Sequence, residues 1–230
     1  MYLIAFDHEN ELVYAYNETL GHVEIYMENG THVATKAKLN QIAKLNQTLF
    51  VMRLDLKNHI LYWLAKESET SVLTSAVYEC RLTEESWIEP LNISGFYYDL
   101  TIDSEGIVYL VGKGIVRIRR INNQSYETEH IKADNNPLTH ADIDDNGLLY
   151  YQRLDGSITS VDTKRNQPTT PVTYYQGKNV DCIRVYGGVL YWYIQGDGII
   201  YTKSLDKSTN DGQMELTPGE YIVFYIIPVS

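Results

Sequence analysis

Short runs in which apolar and polar residues alternate recur along the whole chain, broken by Gly, Asn and Asp. His22-Val-Glu-Ile-Tyr-Met27, Ser75-Ala-Val-Tyr-Glu-Cys80, Gly114-Ile-Val-Arg-Ile-Arg119, Gly156-Ser-Ile-Thr-Ser-Val161 and Gly198-Ile-Ile-Tyr-Thr-Lys203 share this pattern. A period of two marks strands with one face packed on a neighbouring sheet. Ahead of each run stands a common phrase: an acidic or apolar residue, a few turn residues, two apolar residues and a tyrosine. The copies are Asp7 to Tyr14, Asp55 to Tyr62, Asp103 to Tyr109, Asp144 to Tyr150 and Val185 to Tyr191. Their tyrosines stand 48, 47, 41 and 41 residues apart. Short strands and tight turns repeating every forty-odd residues are the signature of a β-propeller.

Each copy parses alike. A first strand ends at the acidic position: Tyr2 to Phe6, Phe50 to Leu54, Tyr97 to Ile102, Ala141 to Ile143 and Cys182 to Val185. A hairpin turn follows, with Gly106, Gly147 and Gly187-Gly188 supplying positive φ angles. The tyrosine phrase is the second strand and the alternating run the third. A weaker fourth strand, such as Thr128 to Ile131 or Thr170 to Tyr174, closes the unit. The fold class is therefore all-β, a propeller of four-stranded antiparallel blades in a single domain over 1–230, with repeats at about 1–46, 47–94, 95–137, 138–178 and 179–219. Ala34 to Leu45 fits a short amphipathic helix by its spacing, but the repeat requires a strand and crossover there. Residues 220–230 add one further strand that Pro228 would end. Six-bladed ancestry is the favoured reading of that count, with closure at five blades the alternative.

Twenty tyrosines against four phenylalanines suit half-buried strands with an apolar body and a wet tip. The formal charge of -11 excludes nucleic acid and anionic membrane surfaces as partners, and favours cationic ones. No apolar stretch is long enough for a membrane-spanning helix. Met1 to Asp7 lacks a basic region and does not read as a signal peptide, so the chain is expected to be cytosolic or a domain of a longer precursor. Sequons at Asn17, Asn29, Asn46, Asn92 and Asn123 shift the expectation to an extracellular glycoprotein, with a cytoplasmic location the alternative. Cys80 and Cys182 fall in the second and fifth repeats, too far apart in a ring to bridge, and are expected as free thiols.

Tyr62-Trp63 and Tyr191-Trp192 follow two apolar residues in their second strands, and Asp precedes the turn in four copies. This resembles the YWTD repeats of low-density-lipoprotein-receptor-type propellers, in divergent form, since Leu64-Ala65 and Tyr193-Ile194 stand where Thr-Asp would follow. The phrase Ile-Leu-Tyr-Trp-Leu64 is similar to the propellers in the ectodomains of Sevenless-type receptor tyrosine kinases. The resemblance implies structural roles for the Asp and the Tyr-Trp pair. It also implies an extracellular receptor as parent protein.

Asp142-Ile-Asp144-Asp-Asn146-Gly147 matches the first half of a calcium loop, but the twelfth position is Arg153 in place of a bidentate acid. The favoured reading is a repeat Asp capping a hairpin turn. The alternative is calcium on Asp142, Asp144 and Asn146. The histidines lack zinc spacing, and neither a Gly-x-Ser-x-Gly elbow nor a phosphate loop occurs. Arg117 and Arg119 share a strand face and suit local ion pairing. The resulting expectation is a non-enzymatic module without cofactor, whose loops bind a protein ligand or neighbouring domains of the same receptor. Tyr97, Tyr98, Tyr174 and Tyr175 are the candidate anchors. The rival is a calcium-dependent, lactonase-like hydrolase with Asp99, Asp103, Asp142 and Asp181 facing a central channel.

Overall fold

In the computed structural model every regular element among the described residues is a strand, so none is a helix long and apolar enough to cross a membrane. The structure describes residues 2–17, 20–38, 47–67, 75–82, 88–122, 125–133, 136–164, 172–177, 180–194, 198–205 and 212–215. The strands form five four-stranded antiparallel sheets in chain order, the blades of a β-propeller. Blade 1 holds β1 (Tyr2–Asp7), β2 (Leu12–Asn17), β3 (His22–Met27) and β4 (His32–Lys38). Blade 2 holds β5 (Gln47–Asp55), β6 (Ile60–Glu67), β7 (Ser75–Arg81) and β8 (Ile88–Gly95). Blade 3 holds β9 (Tyr97–Ile102), β10 (Val108–Gly112), β11 (Gly114–Asn122) and β12 (Ser125–Ala133). Blade 4 holds β13 (Leu138–Ile143), β14 (Leu148–Arg153), β15 (Ile158–Asp162) and β16 (Val172–Tyr175). Blade 5 holds β17 (Cys182–Tyr186), β18 (Val189–Ile194), β19 (Ile199–Ser204) and β20 (Gly212–Glu215).

Two departures of strand bounds from the sequence expectation have a local backbone reason. β13 begins at Leu138 and not Ala141, because the register shifts between Thr139 and Ala141 and His140 sits there at φ 40°. The bulge breaks the alternation that marks a strand. β15 begins at Ile158 and not Gly156, because Gly156 is the left-handed residue of the preceding turn at φ 81°. In the segment read as strand or helix, β4 covers His32–Lys38. Residues 39–45 and the extra strand at 220–230 lie outside the described residues.

The described residues divide into two compact units. One contains blades 1 and 2, Tyr97 and the turn Ser104–Gly106; the other contains the rest of blade 3 with blades 4 and 5. In the first, Ala5, Tyr14, Tyr16, Val23 and Ile25 of blade 1 pack on Met52, Leu61, Trp63 and Cys80 of blade 2. In the second, Tyr109, Val111 and Ile115 of blade 3 pack on Leu138, Ala141, Leu149 and Tyr151 of blade 4. Tyr150 and Ile158 of blade 4 then pack on Ile183, Leu190 and Trp192 of blade 5. The period-two pattern thus serves two neighbours, since each central strand turns one set of side chains to each side.

Candidate functional site

The repeat carboxylates are built into their own turns. Asp7 Oδ1 accepts the Glu9 and Asn10 amides, both at 3.1 Å. Asp55 accepts the Asn58 amide at 3.0 Å and its side-chain Nδ2 at 2.7 Å. Asp103 accepts the Ile107 amide at 2.9 Å, and Asp144 accepts those of Asn146 at 3.0 Å and Leu148 at 2.8 Å. Each closes a hairpin by the mechanism that makes Asp a turn former. The fifth copy has no acid and needs none, because Gly187 and Gly188 at φ 56° and 74° make a two-residue turn between paired Tyr186 and Val189. Gly106, at φ 78°, also has a packing reason: an added Cβ would lie 2.3 Å from Asn58 Nδ2 and 2.8 Å from Asp55 Oδ2. Beside it the Lys57 ammonium pairs with Glu105 at 2.7 Å.

Two acids assigned to a channel in the hydrolase reading are hydrogen-bonded to the first strand of the next blade. Asp99, on β9, accepts the Ala141 amide of β13 at 3.0 Å and the Leu100 amide at 2.8 Å. Asp142, on β13, accepts the Val185 amide of β17 at 2.8 Å and the Thr101 hydroxyl at 3.0 Å. The receiving strands lie at sheet edges, where a side-chain acceptor can take an N–H that no neighbouring strand reaches. Among the described residues no group of three or more His, Cys, Asp or Glu is placed to hold a metal ion. The Asp142 and Asp144 carboxylates and the Asn146 backbone N–H serve these blade and turn contacts. Asp181 is exposed, and its amide donates to the Tyr193 carbonyl at 2.9 Å.

Of the repeat tyrosines, Tyr14, Tyr62, Tyr109 and Tyr150 are buried and Tyr191 is half-buried. The Tyr109 hydroxyl lies 3.1 Å from Asp103 Oδ2 and 3.2 Å from Thr163 Oγ1. Burial pushes its phenol up to about 12, the Thr163 contact opposing and the Asp103 charge assisting. Burial raises Tyr150 as well, with Tyr174 and Asp144 adding to the shift.

An open cleft lies where blade 4 meets blade 5. Tyr174, Tyr175, Trp192, Tyr201, Thr202, Lys203 and Gly212 line a cavity of about 520 Å³. Its walls follow from two local features. First, Thr173 pairs with Thr159 and Tyr175 with Ile158, so Tyr174 is an extra residue in β16. That bulge lets two consecutive tyrosines pack against the same cluster, which strict alternation forbids. Second, Trp192 and Tyr201 are direct cross-strand partners in β18 and β19, so their rings share one face. Their centroids are 5.6 Å apart with planes 13° from parallel, and Tyr175 joins the ladder 5.3 Å from Trp192. Tyr174 meets Tyr150 edge-on at 5.2 Å and accepts from the Ser160 hydroxyl at 3.3 Å. Gly177 lets the Tyr175 hydroxyl come close, since a Cβ there would lie 2.3 Å from it. Trp192 is 6% exposed, and its buried indole N–H has no hydrogen-bond partner among the described residues.

Tyr174 and Tyr175 end β16, the fourth strand of blade 4, and both reach the cleft. Tyr97 and Tyr98 are half-buried at the start of β9. Burial raises the Tyr97 phenol, its carbonyl accepts from Ser75 Oγ at 2.8 Å, and its ring packs on Gly95. The sequence pattern does not mark Trp192 or Tyr201 as a site residue: Trp192 fits the structural Tyr-Trp phrase, and Tyr201 an ordinary alternating strand. Asn29 is exposed in a turn, and Asn17 is half-buried at the end of β2, accepting the Leu20 amide at 3.1 Å. Asn46, Asn123 and the side chain of Asn92 lie outside the described residues. Cys80 and Cys182 form no disulfide; the first is buried and the second half-buried. Arg117 pairs with Glu129 on β12 and donates to the Thr163 carbonyl at 3.2 Å.

No protein-family model and no curated protein sequence matches this chain. Solved structures do resemble it. One is a nidogen/laminin complex, with a TM-score of 0.72 at 13% identity over 93% of this chain and 80% of that one. Another is Kluyveromyces lactis Hsv2, with a TM-score of 0.61 at 14% identity over 94% of this chain and 64% of that one. At such identities these likenesses establish the propeller fold.

Proposed function

We propose that this chain is a non-enzymatic, protein-binding propeller module of an extracellular protein. The observation that carries this reading is the engagement of the acids. Of the four channel acids, Asp99, Asp103 and Asp142 accept backbone amides and hold turns and blades together, as does the turn acid Asp144. A hydrolase would need carboxylates held free for metal or water. The nidogen/laminin complex gives the reading a parallel, a propeller-bearing structure solved with a protein partner. The resemblance to YWTD repeats and the exposed Asn29 sequon favour secretion, with a receptor ectodomain as the parent protein.

Calorimetric titration with calcium, alongside selection of binders from a displayed library of secreted-protein domains, tests the reading. The expected result is saturable binding of a protein domain that chelator leaves unchanged. Saturable calcium heats together with calcium-dependent hydrolysis of lactone or ester substrates, lost in Asp142→Asn, would overturn it.

A further inference from the structure

We propose that the turn joining β3 to β4 is built to carry an N-linked oligosaccharide on Asn29, and that the first N-acetylglucosamine packs on Met27. The proposal rests on the extracellular part of the reading above and specifies a modification site within it.

The five sequons are alike in sequence, and the local backbone sets this one apart. Gly30 donates its N–H to the Met27 carbonyl at 2.9 Å, and Met27 donates its own to the Thr31 carbonyl at 2.8 Å. With Gly30 left-handed at φ 86°, this is a three-residue hairpin loop, a type I turn closed by a glycine bulge. Met27 and Thr31 face each other across the neck of the loop, and opposed residues of a hairpin project to the same side. Asn29 stands at the tip, two residues from each.

The side-chain amide has one orientation. Asn29 Oδ1 accepts the Thr31 N–H at 2.9 Å, which the amide nitrogen cannot do. Nδ2, the atom that takes the sugar, is left over, with no hydrogen bond among the described residues. Glu28 to Thr31 are all exposed, and a Cβ on Gly30 would meet nothing within 4 Å, so a bulky group has room. Asn17, by contrast, is half-buried at the end of β2.

Met27 supplies a seat. It is 47% exposed, whereas every other residue of β3 is buried or half-buried. A pyranose ring has a face of C–H groups that gains by lying on an apolar side chain, and the unbranched, polarizable thioether adapts to it. The sugar would also stand beside β4, the edge strand of its sheet, which has to be kept from pairing with other chains. The donor is a lipid-diphosphate-linked oligosaccharide. Asn29 Nδ2 forms a bond to C1 of the sugar and loses one proton to a base of the transferase. The bond from C1 to the diphosphate oxygen breaks, and the lipid diphosphate leaves with its electron pair.

The full chain, expressed behind a secretion leader in cultured animal cells, is read by glycopeptide mass spectrometry. Sugar is expected on Asn29 in most molecules, and its loss in Thr31→Ala and Asn29→Gln. Transfer precedes export, so chain retained inside the cells is read in the same way. Thermal unfolding tests the seat. Asn29→Gln is compared with the wild type twice, in the secreted protein and in sugar-free protein from bacteria, so the lost Oδ1 bond cancels. The secreted protein should lose about 2 °C or more beyond the bacterial one, and Met27→Ala should remove most of that extra loss. A free Asn29 overturns the proposal, and sugar on the other sequons would then keep the extracellular reading standing. Sugar on Asn29 without the extra loss, or with a loss that Met27→Ala leaves unchanged, overturns the packing on Met27. Sugar on the leader-bearing chain and none on the chain recovered from its own cells would uphold the acceptor turn and overturn the extracellular reading.

Discussion

Replacing Asp99 with Ala strands two buried donors. The carboxylate is 4% exposed, and it accepts amides from Leu100 and Ala141, both residues at 0% exposure. A buried N–H left without a partner costs about 1–3 kcal/mol. Two such groups give about 2–6, and we expect about 4 kcal/mol. Asp99→Asn keeps one oxygen for one amide and turns an NH2 toward the other, so about 2 kcal/mol is expected on the same basis. Asp155→Ala is the control, since that exposed carboxylate serves only its own turn at Ser157, and about 1 kcal/mol or less should be lost. Urea unfolding followed by circular dichroism ranks the three variants. Amide hydrogen exchange adds a local readout, because protection should fall first at Leu100 and Ala141. A loss under about 1 kcal/mol for Asp99→Ala, or full protection at Ala141, would refute the assignment of this carboxylate as an inter-blade tie.

Tyr62→Ala removes a ring that is 1% exposed and should cost about 3 kcal/mol through the cavity it leaves, read from the urea midpoint. Because the folded Tyr109 phenol titrates near 12 and an unfolded one near 10, stability should be full below pH 10 and fall as pH rises through 12. Tyr109→Phe should flatten that fall in alkaline unfolding curves, leaving a remainder from Tyr150, whose shift has the same direction. Gly106→Ala combines a left-handed φ of 78° with a Cβ placed against Asn58 and Asp55, and should lower the thermal midpoint well beyond Gly188→Ala, where φ is 74° and the space is open.

The blades were legible because their signals are local and repeat. A hairpin acid, a positive-φ glycine and a period-two strand each act within a few residues, so β3 and β9 were predicted to the residue. The cap role of Asp144 was readable for the same reason. The inter-blade ties were not. Asp99 stands four residues before its turn acid and Asp142 two before, so the two occupy different places in the repeat and leave no periodic trace. Each contact also spans about one whole repeat, a distance over which sequence alone names no partner. The cleft was half legible. Two adjacent tyrosines stand out in the sequence, but the bulge that packs both against one cluster depends on the pairing of β15 with β16, and the Trp192–Tyr201 stack on a cross-strand register.

The direction of the ties bears on synthesis. Asp99 precedes the amide that it accepts by 42 residues and Asp142 precedes its own by 43, so in both cases the carboxylate leaves the ribosome first. At about 5–20 residues per second the wait lasts some seconds. During it the waiting partner is a charged group that water solvates well, while the sheet edge that would invite pairing with other chains emerges only when its acceptor is already in place. For these two edges, growth from the N-terminus thus hands the new strand to a blade that is already complete.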